Sequence, residues 1–483
     1  MFACTPADQS VPSPSPGCSC CQPQLQSAAR RINRDLSRRG FVVGAGASLA
    51  SLGLFSSRVR AAGPTPPVVF SDFMLFDGKS NALRGGLSLL VDGNRVKLAP
   101  GNPNPPDGAQ LIRCGGRVIM PGLIDAHWHA MFAALPIQVL ISADIGYIFL
   151  AASNEAERTL MRGFTTVRDL GGPSFALKQA IDEGLVTGPR IYPSGAMITT
   201  TGGHADMRQL SDLPRTLGGP LSHVEQTGAA SIADSADEVR LRVREQLLQG
   251  ASQIKLVGGG GVASPRTTLD MSTFSEAEFR AGVEAAADRN TYVAVHAYPP
   301  AQIQRAIAAG AQCIEHGHLM DEATATLMAD KGIWLSTQPF IGEGDGPPLA
   351  GQSRTNFLQV IAGTDTVYGL ASKHKIKTAF GSDSLFSSAI SQRQGIMLTH
   401  LTRWYGNADI LKMATSGNAE LLAMSGPRNP YPGKLGTIED GAFADLLVVD
   451  GNPLDHIELL ATPGKNLVLI MKDGKIHKNS LPA

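Results

Sequence analysis

The sequence shows no excess of charge of either sign. Lysine and arginine together number 42, and aspartate and glutamate together also number 42. A surface that attracts nucleic acid or an acidic membrane needs a basic excess, so we expect no nucleic-acid or membrane-surface partner. Hydrophobic residues make up 43% and charged residues 17% of the chain, which is typical of a globular protein with a large buried core.

Cysteine is scarce outside the N-terminus. Four of the six cysteines lie in the first 21 residues, and they are Cys4, Cys18, Cys20 and Cys21. Their spacing matches no ordinary zinc ligand set, which indicates a segment that is removed later. The other two, Cys114 and Cys313, stand beside apolar, strand-like sequence, and buried free thiols are favoured over a disulfide.

The apolar run near the N-terminus is too short to cross a membrane. It covers residues 42–55, whereas a spanning helix needs about 20 residues. Arg38 and Arg39 precede it, and Val59-Arg60-Ala61 follows as a small-residue cleavage pattern. We therefore predict that residues 1–61 are a twin-arginine signal and cysteine-containing leader. The mature protein is expected to be exported folded, to be periplasmic or secreted, and to have no stable membrane anchor.

Short β-rich runs separated by glycine- and proline-rich turns occur at both ends of the remaining chain. Strands are predicted over residues 68–70, 87–91, 116–119, 444–449 and 468–475, the last of them turning at Asp-Gly. Residues 62–120 and 426–483 are therefore predicted to form the two halves of one small β-sandwich.

Between these ends, residues 121–425 alternate apolar runs with amphipathic helices, which is typical of repeated βα units. Eight strands are predicted, over residues 123–129, 164–169, 191–194, 253–257, 292–296, 313–316, 333–337 and 378–383. The predicted fold is α/β, a (β/α)8 TIM-type barrel with the β-sandwich beside it. Residues 199–226 are long and rich in glycine and proline, so we expect them to form a lid or binding loop.

Five side chains that can bind a metal stand where the predicted strands end. In such a barrel the active site lies at the C-terminal ends of the strands. His127 and His129 end the first strand, and a spacing of two residues puts both imidazoles on one face. His296 ends the fifth strand, His316 the sixth and Asp383 the eighth. The alternative is that His127 and His129 have only a structural role. Each further ligand-type residue at a strand end makes that explanation weaker.

Lys255 lies inside the apolar fourth strand. A lysine that points into a barrel is costly as a cation, because burial disfavours the charged form. The neutral amine can instead take up carbon dioxide to give a carbamate, whose two oxygens bridge two metal ions. The competing interpretation is a lysine that faces outward toward a helix, and the other ligands disfavour it.

Four histidines, one carbamate and one carboxylate meet the ligand demand of two zinc-like ions. Two such ions, about 3.5–4 Å apart, activate a water molecule and polarise a scissile carbonyl. Asp383 is predicted to take the proton from that water and to pass it to the leaving amine. Two neighbouring groups, Asp169 and His318, are expected to orient ligands rather than to bind metal.

These residues resemble the amidohydrolase superfamily. Its strand-one signature is matched by P-G-L-I-D-A-H-W-H at residues 121–129, and the resemblance extends from about residue 67 to the C-terminus. Within the superfamily, the chain is similar to the clade of metal-dependent Xaa-Pro dipeptidases that includes enzymes hydrolysing ochratoxin A. Further local matches are residues 163–169, 254–256, 295–298 and 314–317.

The resemblance implies a site, a reaction and an assembly. It implies two zinc ions, one bound by His127, His129 and Asp383. The other is bound by His296 and His316, and the carbamate on Lys255 bridges both. It implies a small-molecule amide or dipeptide substrate and the release of a C-terminal amino acid, often proline or an aromatic residue. It also implies a homo-oligomer, often an octamer.

Two residues are candidates for binding the substrate. His204 lies in the predicted lid, and Tyr298 follows the fifth strand. Each offers a hydrogen-bonding group to the substrate carboxylate or the scissile oxygen, and a structural role explains either residue equally well. The glycines at 258–261, followed by Arg266, indicate either an anion site or a flexible hinge.

Alternative functions share parts of this pattern. A mononuclear deaminase or cyclic-amide hydrolase has the same barrel, but it has no use for a bridging group at Lys255. A lactonase or phosphotriesterase with two metals shares the whole ligand set and stays open. A non-enzymatic exported carrier of metal or solute is disfavoured, because both Lys255 and Asp383 are present.

Overall fold

The computed structural model describes residues 66–482, apart from residues 102–103, 214–218 and 265. The predicted signal and leader, residues 1–61, lie outside the described residues. Within the described ranges, no helix has the length and apolar character needed to cross a membrane.

The described residues contain nineteen strands, numbered in chain order. They are β1 (Val68–Ser71), β2 (Met74–Leu75), β3 (Leu87–Asp92), β4 (Arg95–Pro100), β5 (Gln110–Arg113), β6 (Val118–Pro121), β7 (Leu123–Trp128), β8 (Phe164–Asp169), β9 (Arg190–Pro193), β10 (Met197–Thr199), β11 (Ala230–Ile232), β12 (Ile254–Val257), β13 (Val293–Ala297), β14 (Cys313–His316), β15 (Trp334–Thr337), β16 (Thr378–Phe380), β17 (Leu446–Val449), β18 (Leu467–Lys472) and β19 (Lys475–Asn479).

The α-helices of the same part of the chain are numbered in the same way. They are α1 (Ile137–Leu140), α2 (Ile145–Met161), α3 (Phe175–Asp182), α4 (His223–Gln226), α5 (Ala236–Gln249), α6 (Glu276–Ala287), α7 (Pro300–Ala308), α8 (Glu322–Asp330), α9 (Gly351–Lys373), α10 (Ser388–Ser391), α11 (Gln394–His400), α12 (Asn407–Lys412), α13 (Asn418–Ala423) and α14 (Pro463–Asn466). Short 3-10 helices span Leu210–Asp212, Glu343–Asp345, Leu401–Arg403, Gly426–Arg428 and Ile457–Ala461, and a π-helix spans Met413–Gly417.

Strands from both ends of the chain share one sheet. Its order is β19-β18-β17-β6-β2, and β17 pairs antiparallel with β6, so that Val448 lies opposite Ile119. A second sheet has the order β4-β3-β1-β5. The turn between β18 and β19 is Asp473-Gly474, with both residues at positive φ, which is the backbone that a tight Asp-Gly hairpin requires.

The strands of the central region are parallel. They form a three-stranded sheet, β7-β8-β9, and a seven-stranded sheet, β11-β10-β12-β13-β14-β15-β16. In the larger sheet Lys255 lies beside Ala294, and Ala297 lies beside His316. Because these strands are parallel, their C-terminal ends open toward the same side, which is where such folds place a site.

Hydrogen bonds connect β7, the first of the parallel strands, to the segment that follows β16, the last of them. Asp125 on β7 accepts hydrogen bonds from the backbone N of Ser382 at 3.1 Å and from its Oγ at 2.6 Å. The backbone N of Asp383 donates to the carbonyl of His127 at 2.8 Å. Gln394 on α11 also donates to Asp125, at 2.8 Å. The segment after β16 is thereby held beside β7.

Local sequence explains where the helices begin. Ser275 accepts from the backbone N of Glu278 at the start of α6, and the Glu278 carboxylate accepts from the backbone N of Ser275, which is a capping box. Helix α7 starts at Pro300. Proline has no backbone N–H, and in the first turn of a helix an N–H would have no intrahelical partner, so nothing is lost there. Its side chains Ile303 and Ile307 are buried, so this helix packs through an apolar face.

The predicted central strands correspond to β7–β9 and β12–β16, with two corrections. The predicted third strand, residues 191–194, corresponds to β9 (Arg190–Pro193), and after a turn at Gly195, where φ is 73°, the chain forms a further strand, β10, in the larger sheet. The eighth strand ends at Phe380, three residues earlier than predicted, because Asp383 has a φ of 49°. Strands β2, β4, β5, β10 and β11 were not predicted.

Candidate active site

All six predicted metal ligands line one pocket at the C-terminal ends of the parallel strands. The four histidines and Lys255 are between 1% and 4% exposed, and the Asp383 side chain is 16% exposed. Most other wall residues are apolar, and they include Phe132, Met197, Met207, Val257, Val262, Phe340, Leu349, Phe357, Leu385, Phe386 and Ile390. The pocket therefore combines a polar floor with apolar walls, the usual composition of a small-molecule site.

The carboxylate of Asp383 lies between the histidines of β7. Its Oδ1 is 3.4 Å from Nε2 of His127 and 3.2 Å from Nε2 of His129, and it has no hydrogen-bond partner among the described residues. In a tetrahedral zinc site with bonds of about 2.0–2.1 Å, neighbouring ligand atoms lie about 3.3–3.4 Å apart. Ligand atoms of His127, His316 and Asp383 also lie within 4.8 Å of one another. This spacing fits a metal ion.

Two of the histidines are oriented by backbone carbonyls. Nδ1 of His129 lies 3.3 Å from the carbonyl oxygen of Gly171. Nε2 of His296 lies 2.9 Å from the carbonyl oxygen of Gly260. A carbonyl only accepts, so it holds a proton on the nitrogen that faces it. The free lone pair is then on Nε2 of His129 and on Nδ1 of His296.

The other two histidines face side-chain oxygens. Nδ1 of His127 lies 2.8 Å from Oε2 of Glu315, and Nδ1 of His316 lies 2.8 Å from Oε1 of Gln338. Burial lowers the pKa of His127, His296 and His316 well below the usual value, so these rings are neutral. A neutral imidazole with one nitrogen held by an acceptor is the form in which histidine binds metals, and His316 has this arrangement, whereas Nδ1 of His127 also lies 3.2 Å from the amide Nε2 of Gln338.

Lys255 on β12 is fully buried in the floor of the pocket. Burial lowers the pKa of its amine to about 8, although the carboxylates of Glu315 and Asp383 favour the charged form. A neutral fraction of the amine therefore exists close to neutral pH. Lys255 lines the same pocket as the candidate metal ligands, so it faces the interior and the outward-facing interpretation is wrong.

A buried ion pair lies next to these histidines and was missed in the sequence. Nη2 of Arg168 on β8 is 2.7 Å from Oε1 of Glu315 on β14, and both side chains are 0% exposed. Arg168 also donates to the carbonyl of Ala126 at 2.6 Å and to the hydroxyl of Tyr292 at 3.1 Å. The available signal was an arginine and a glutamate inside two apolar strands, because buried charges require partners.

Asp169 and His318, which were expected to orient ligands, bond to residues next to the ligands. Asp169 accepts from the backbone N of Ala130 at 2.7 Å and from that of Gly171 at 3.1 Å. Burial raises the pKa of Asp169 to about 7. Nε2 of His318 lies 2.9 Å from the carbonyl oxygen of Gln338. Both side chains therefore hold segments that contact site histidines.

Two of the candidate ligands have a strained backbone. The φ angle is 74° at His316 and 49° at Asp383, in the left-handed region that residues other than glycine seldom occupy. Such a conformation costs about 1–3 kcal/mol and occurs most often at functional sites. In both cases the turn comes directly at or after the end of a strand, where it directs the side chain into the pocket.

His204 and Tyr298 also line the pocket, and each stacks on a candidate ligand. The ring of His204 lies 4.5 Å from that of His296, and the ring of Tyr298 lies 4.9 Å from that of His316, measured between centroids. Burial lowers the pKa of His204 to about 3 and raises that of Tyr298 well above its usual value. Within the described part of the chain, Nδ1 of His204 has no hydrogen-bond partner.

The glycine run at residues 258–261 is required by close packing. Its N–H groups at Gly258, Gly260 and Gly261 donate to acceptors within the protein, so these three groups are not free to bind an anion. An added Cβ at Gly261 would lie 2.4 Å from Nδ1 of His204, and one at Gly260 would lie 1.8 Å from the carbonyl oxygen of Thr268. Only glycine brings this segment so close to the site.

Comparisons with known proteins agree with this geometry. Residues 118–477 match the model of the amidohydrolase family. Ochratoxinase from Aspergillus niger is 32% identical over 379 residues, which cover 75% of this chain and 76% of that protein. A prolidase crystallised with N-methylphosphonate-L-proline is 34% identical with a TM-score of 0.78, covering 86% of this chain and 100% of that one. A Xaa-Pro dipeptidase with bound methionine is 29% identical with a TM-score of 0.74, at the same coverage. The chain belongs to the amidohydrolase family and is a hydrolase that acts on amide bonds.

Proposed function

We propose that this protein is a binuclear metal-dependent amidohydrolase that releases a C-terminal amino acid from a small-molecule amide or a dipeptide. The observation that carries the proposal is the convergence of four histidines, one carboxylate and one buried amine in a single pocket. Nitrogen and carboxylate ligands in this number suit zinc, so zinc is the proposed metal.

The proposed ligands divide into two groups. His127, His129 and Asp383 would hold one ion, while His296 and His316 would hold the other. Lys255, as its carbamate, would bridge both. When bound, the ions would polarise the scissile carbonyl. They would also make a water molecule acidic enough to lose its proton near neutral pH. The lowered pKa of the Lys255 amine supports its carboxylation, because only the neutral amine attacks carbon dioxide.

The remaining chemistry falls to side chains of the pocket. Asp383 is the proposed general base, which holds the proton of the attacking water on a carboxylate oxygen and delivers it to the leaving amine nitrogen. His204 and Tyr298 are the proposed contacts of the substrate carboxylate or of the scissile oxygen. The unpartnered Nδ1 of His204 and the neutral hydroxyl of Tyr298 support these roles.

The position of Glu315 predicts a loss of metal affinity on substitution. We expect Glu315→Gln to weaken zinc binding about 10- to 100-fold, because a residue that orients a ligand histidine contributes on this scale. The change removes the carboxylate that faces Nδ1 of His127 and leaves Arg168 without its charge partner. Zinc dissociation constants would be measured by competition with a chromophoric chelator.

A matched control for this variant is Glu322→Gln, because Glu322 is exposed and pairs with Lys373 at the surface. Circular dichroism would establish that both variants are folded. A folded Glu315→Gln protein that binds zinc as tightly as the control would contradict the orienting role of Glu315.

The proposed substrates are N-acyl-phenylalanine compounds such as ochratoxin A, or Xaa-Pro dipeptides. Similarity to an ochratoxinase and to a prolidase supports one branch each. Phe132, Phe340 and Phe386 line the pocket, and aromatic walls favour a bulky apolar group. This lining supports the phenylalanine branch at least as well as the proline branch.

We further propose that the parallel strands close into a (β/α)8 barrel over residues 121–425. The bonds from Ser382 to Asp125 support closure at one seam. A bond of 2.9 Å from Nε2 of Gln253 to the carbonyl oxygen of Tyr192 supports it at the other. The proposed β-sandwich of residues 62–120 and 426–483 is supported by one apolar cluster shared by the two terminal sheets, which includes Phe70, Leu89, Leu446 and Leu469.

Export and assembly are also proposed. Twin-arginine export to the periplasm or beyond rests on the motif at Arg38 and Arg39, and an intact N-terminus on protein purified from its native host would contradict it. The proposed homo-oligomer, an octamer by resemblance, would be tested by light scattering on the purified protein. A monomer at assay concentrations would overturn this second proposal.

The test of function is the release of free amino acid from a panel of substrates, with and without chelator. The panel contains N-benzoyl-phenylalanine, ochratoxin A, Xaa-Pro dipeptides and a lactone. We expect release of phenylalanine or proline, and we expect chelation followed by gel filtration to lower the rate by more than about 10²-fold. Added zinc should restore it. Hydrolysis of the lactone alone would move the enzyme to the lactonase class, and release that is insensitive to chelation would overturn the metal-dependent mechanism.

A further inference from the structure

We infer that the outer end of the active-site cavity is a subsite for an anionic group on the acyl part of the substrate, recognised by Arg266 and Arg208. This inference rests on the proposed function and narrows its substrate class. The proposed subsite gives Arg266 a role in binding. The close packing of the glycines at residues 258–261 does not explain the presence of an arginine at position 266.

A second pocket opens beside the pocket of the metal ligands. The two pockets have wall residues in common, including Met207, Ala263, Leu349 and Phe386. The second one, called the outer pocket, is lined further by residues between Thr201 and Leu213 and by Ile137 on α1. Since the walls are shared, a substrate whose amide lies among the metal ligands can extend into the outer pocket.

The outer pocket has an excess of positive charge. Arg208 and Arg266 are the basic residues on its described walls, and Asp206 is the acidic one. Asp206 is already engaged, because Nε and Nη2 of Arg208 donate to its two oxygens at 2.7 Å and 2.6 Å. This pair is neutral as a unit, so the charge of Arg266 remains uncompensated in the pocket.

Arg208 retains an unused donor. The residue is 4% exposed, and its Nη2 also donates to Oγ1 of Thr201 at 3.0 Å. Its Nη1 is buried and lacks a hydrogen-bond partner within the described ranges. A buried N–H of a charged group that makes no bond is costly, which favours an acceptor supplied by a ligand.

Arg266 is the accessible member of the pair. Its residue is exposed, and its Nη1 donates to the carbonyl of Arg208 at 3.3 Å. Among the residues that the structure describes, no carboxylate lies within 4.0 Å of its guanidinium nitrogens. The remaining donors of a guanidinium suit the two oxygens of a carboxylate, or a phenolate oxygen.

The orientation of the substrate decides which of its ends meets these arginines. Of the two roles proposed for His204 and Tyr298, contact with the amino-acid carboxylate is the one that this orientation requires, and it places that carboxylate inside the pocket of the metal ligands. The amide lies at the metal ligands, so the acyl group is the part that extends outward. The favoured substrates are therefore N-acyl amino acids whose acyl group carries a carboxylate or an acidic phenol.

The test compares N-(4-carboxybenzoyl)-phenylalanine with N-benzoyl-phenylalanine on the metal-loaded protein. These compounds share the leaving amino acid and differ in one anionic group. For Arg266→Met we expect KM for the carboxylated compound to rise about fivefold, the scale of an exposed ion pair. KM for N-benzoyl-phenylalanine, and kcat for both compounds, should stay within twofold of the values for the unaltered protein. Arg244→Met is the matched control, because Arg244 is exposed on α5, outside both pockets.

Binding of both compounds would also be measured by calorimetry, at low and high salt. Loss of the preference for the carboxylated compound in Arg266→Met, but not in Arg244→Met, would support the subsite, and the preference should weaken with salt. An equal effect of Arg266→Met on both compounds would overturn it, as would the absence of any preference in the unaltered protein. A binding preference without hydrolysis of either compound would retain the subsite and refute the proposed function.

Discussion

Replacement of Lys255 by alanine is expected to lower kcat/KM for amide hydrolysis by on the order of 10³-fold, the scale on which catalytic electrostatic contacts act. The amine is buried among the candidate ligands, so alanine removes the proposed bridging group and leaves a polar cavity. The metal content, measured by plasma mass spectrometry, should fall from two ions per chain to one or none.

Two further measurements separate this effect from misfolding. Lys331→Ala, at an exposed lysine, should keep full activity and full metal content. A short carboxylate such as propionate should restore part of the activity of Lys255→Ala, because its two oxygens can take the place of those of the carbamate. Near-normal turnover with both metals bound in Lys255→Ala would refute the proposed bridge.

Asp383→Asn is expected to lower kcat by about 10²- to 10⁴-fold, the range assigned to general acid–base catalysis. The substitution keeps the shape of the side chain and an oxygen near His127 and His129, but it removes the group that accepts a proton. Because an amide oxygen is also a weaker ligand, the metal content of the variant must be measured together with its steady-state kinetics.

The role of Asp383 is decided by comparing the turnover rate of Asp383→Asn with the number of metal ions that this variant binds. Asp365→Asn, at an exposed aspartate that pairs with Arg403, is the control and should behave as the unaltered protein. If Asp383→Asn turned over substrate normally with its metals in place, another group would have to be the base. If it lost both metals, the activity assay would be repeated at saturating zinc, where the loss of kcat should persist.

The sequence was most informative where a polar residue interrupts an apolar strand. Lys255 was predicted from that contrast, and His127, His296 and His316 were predicted from their positions at strand ends; the structure places all four in one pocket with Asp383. Parallel strands bring such positions together without any information about loops. The positions of the candidate ligands were therefore predictable, although their roles await the experiments above.

What the sequence did not reveal depends on pairing in space. Glu315 precedes His316 in the chain, yet its oxygens face Arg168 from one strand and His127 from another. Gln338 lies beyond the end of β15 and contacts His127 and His316, at 3.2 Å and 2.8 Å. Neither contact follows from periodicity, because each depends on which strands are neighbours and how their ends turn.

The same limit explains the errors in the strands. The unpredicted strand β10 follows a turn at Gly195, which lies against Gln246, a residue on a helix some fifty positions later. The early end of β16 follows from the left-handed backbone at Asp383. Both are consequences of close approach between distant segments, whereas propensity and alternation describe only the local chain.

The bonds between Asp125 and Ser382 join residues 257 positions apart, and this separation constrains how the protein acquires its site. During synthesis His127 emerges from the ribosome long before Asp383. These two candidate ligands therefore cannot come together until most of the chain has left the ribosome. Contacts between residues so far apart in sequence are slow to form, because closing a long loop costs entropy. A metal ion offered to the nascent chain would meet an incomplete set of the candidate ligands. The proposed active centre is thus assembled only after Asp383 has emerged, late in synthesis or after it, and a cell that exports the protein folded would complete this step before transport.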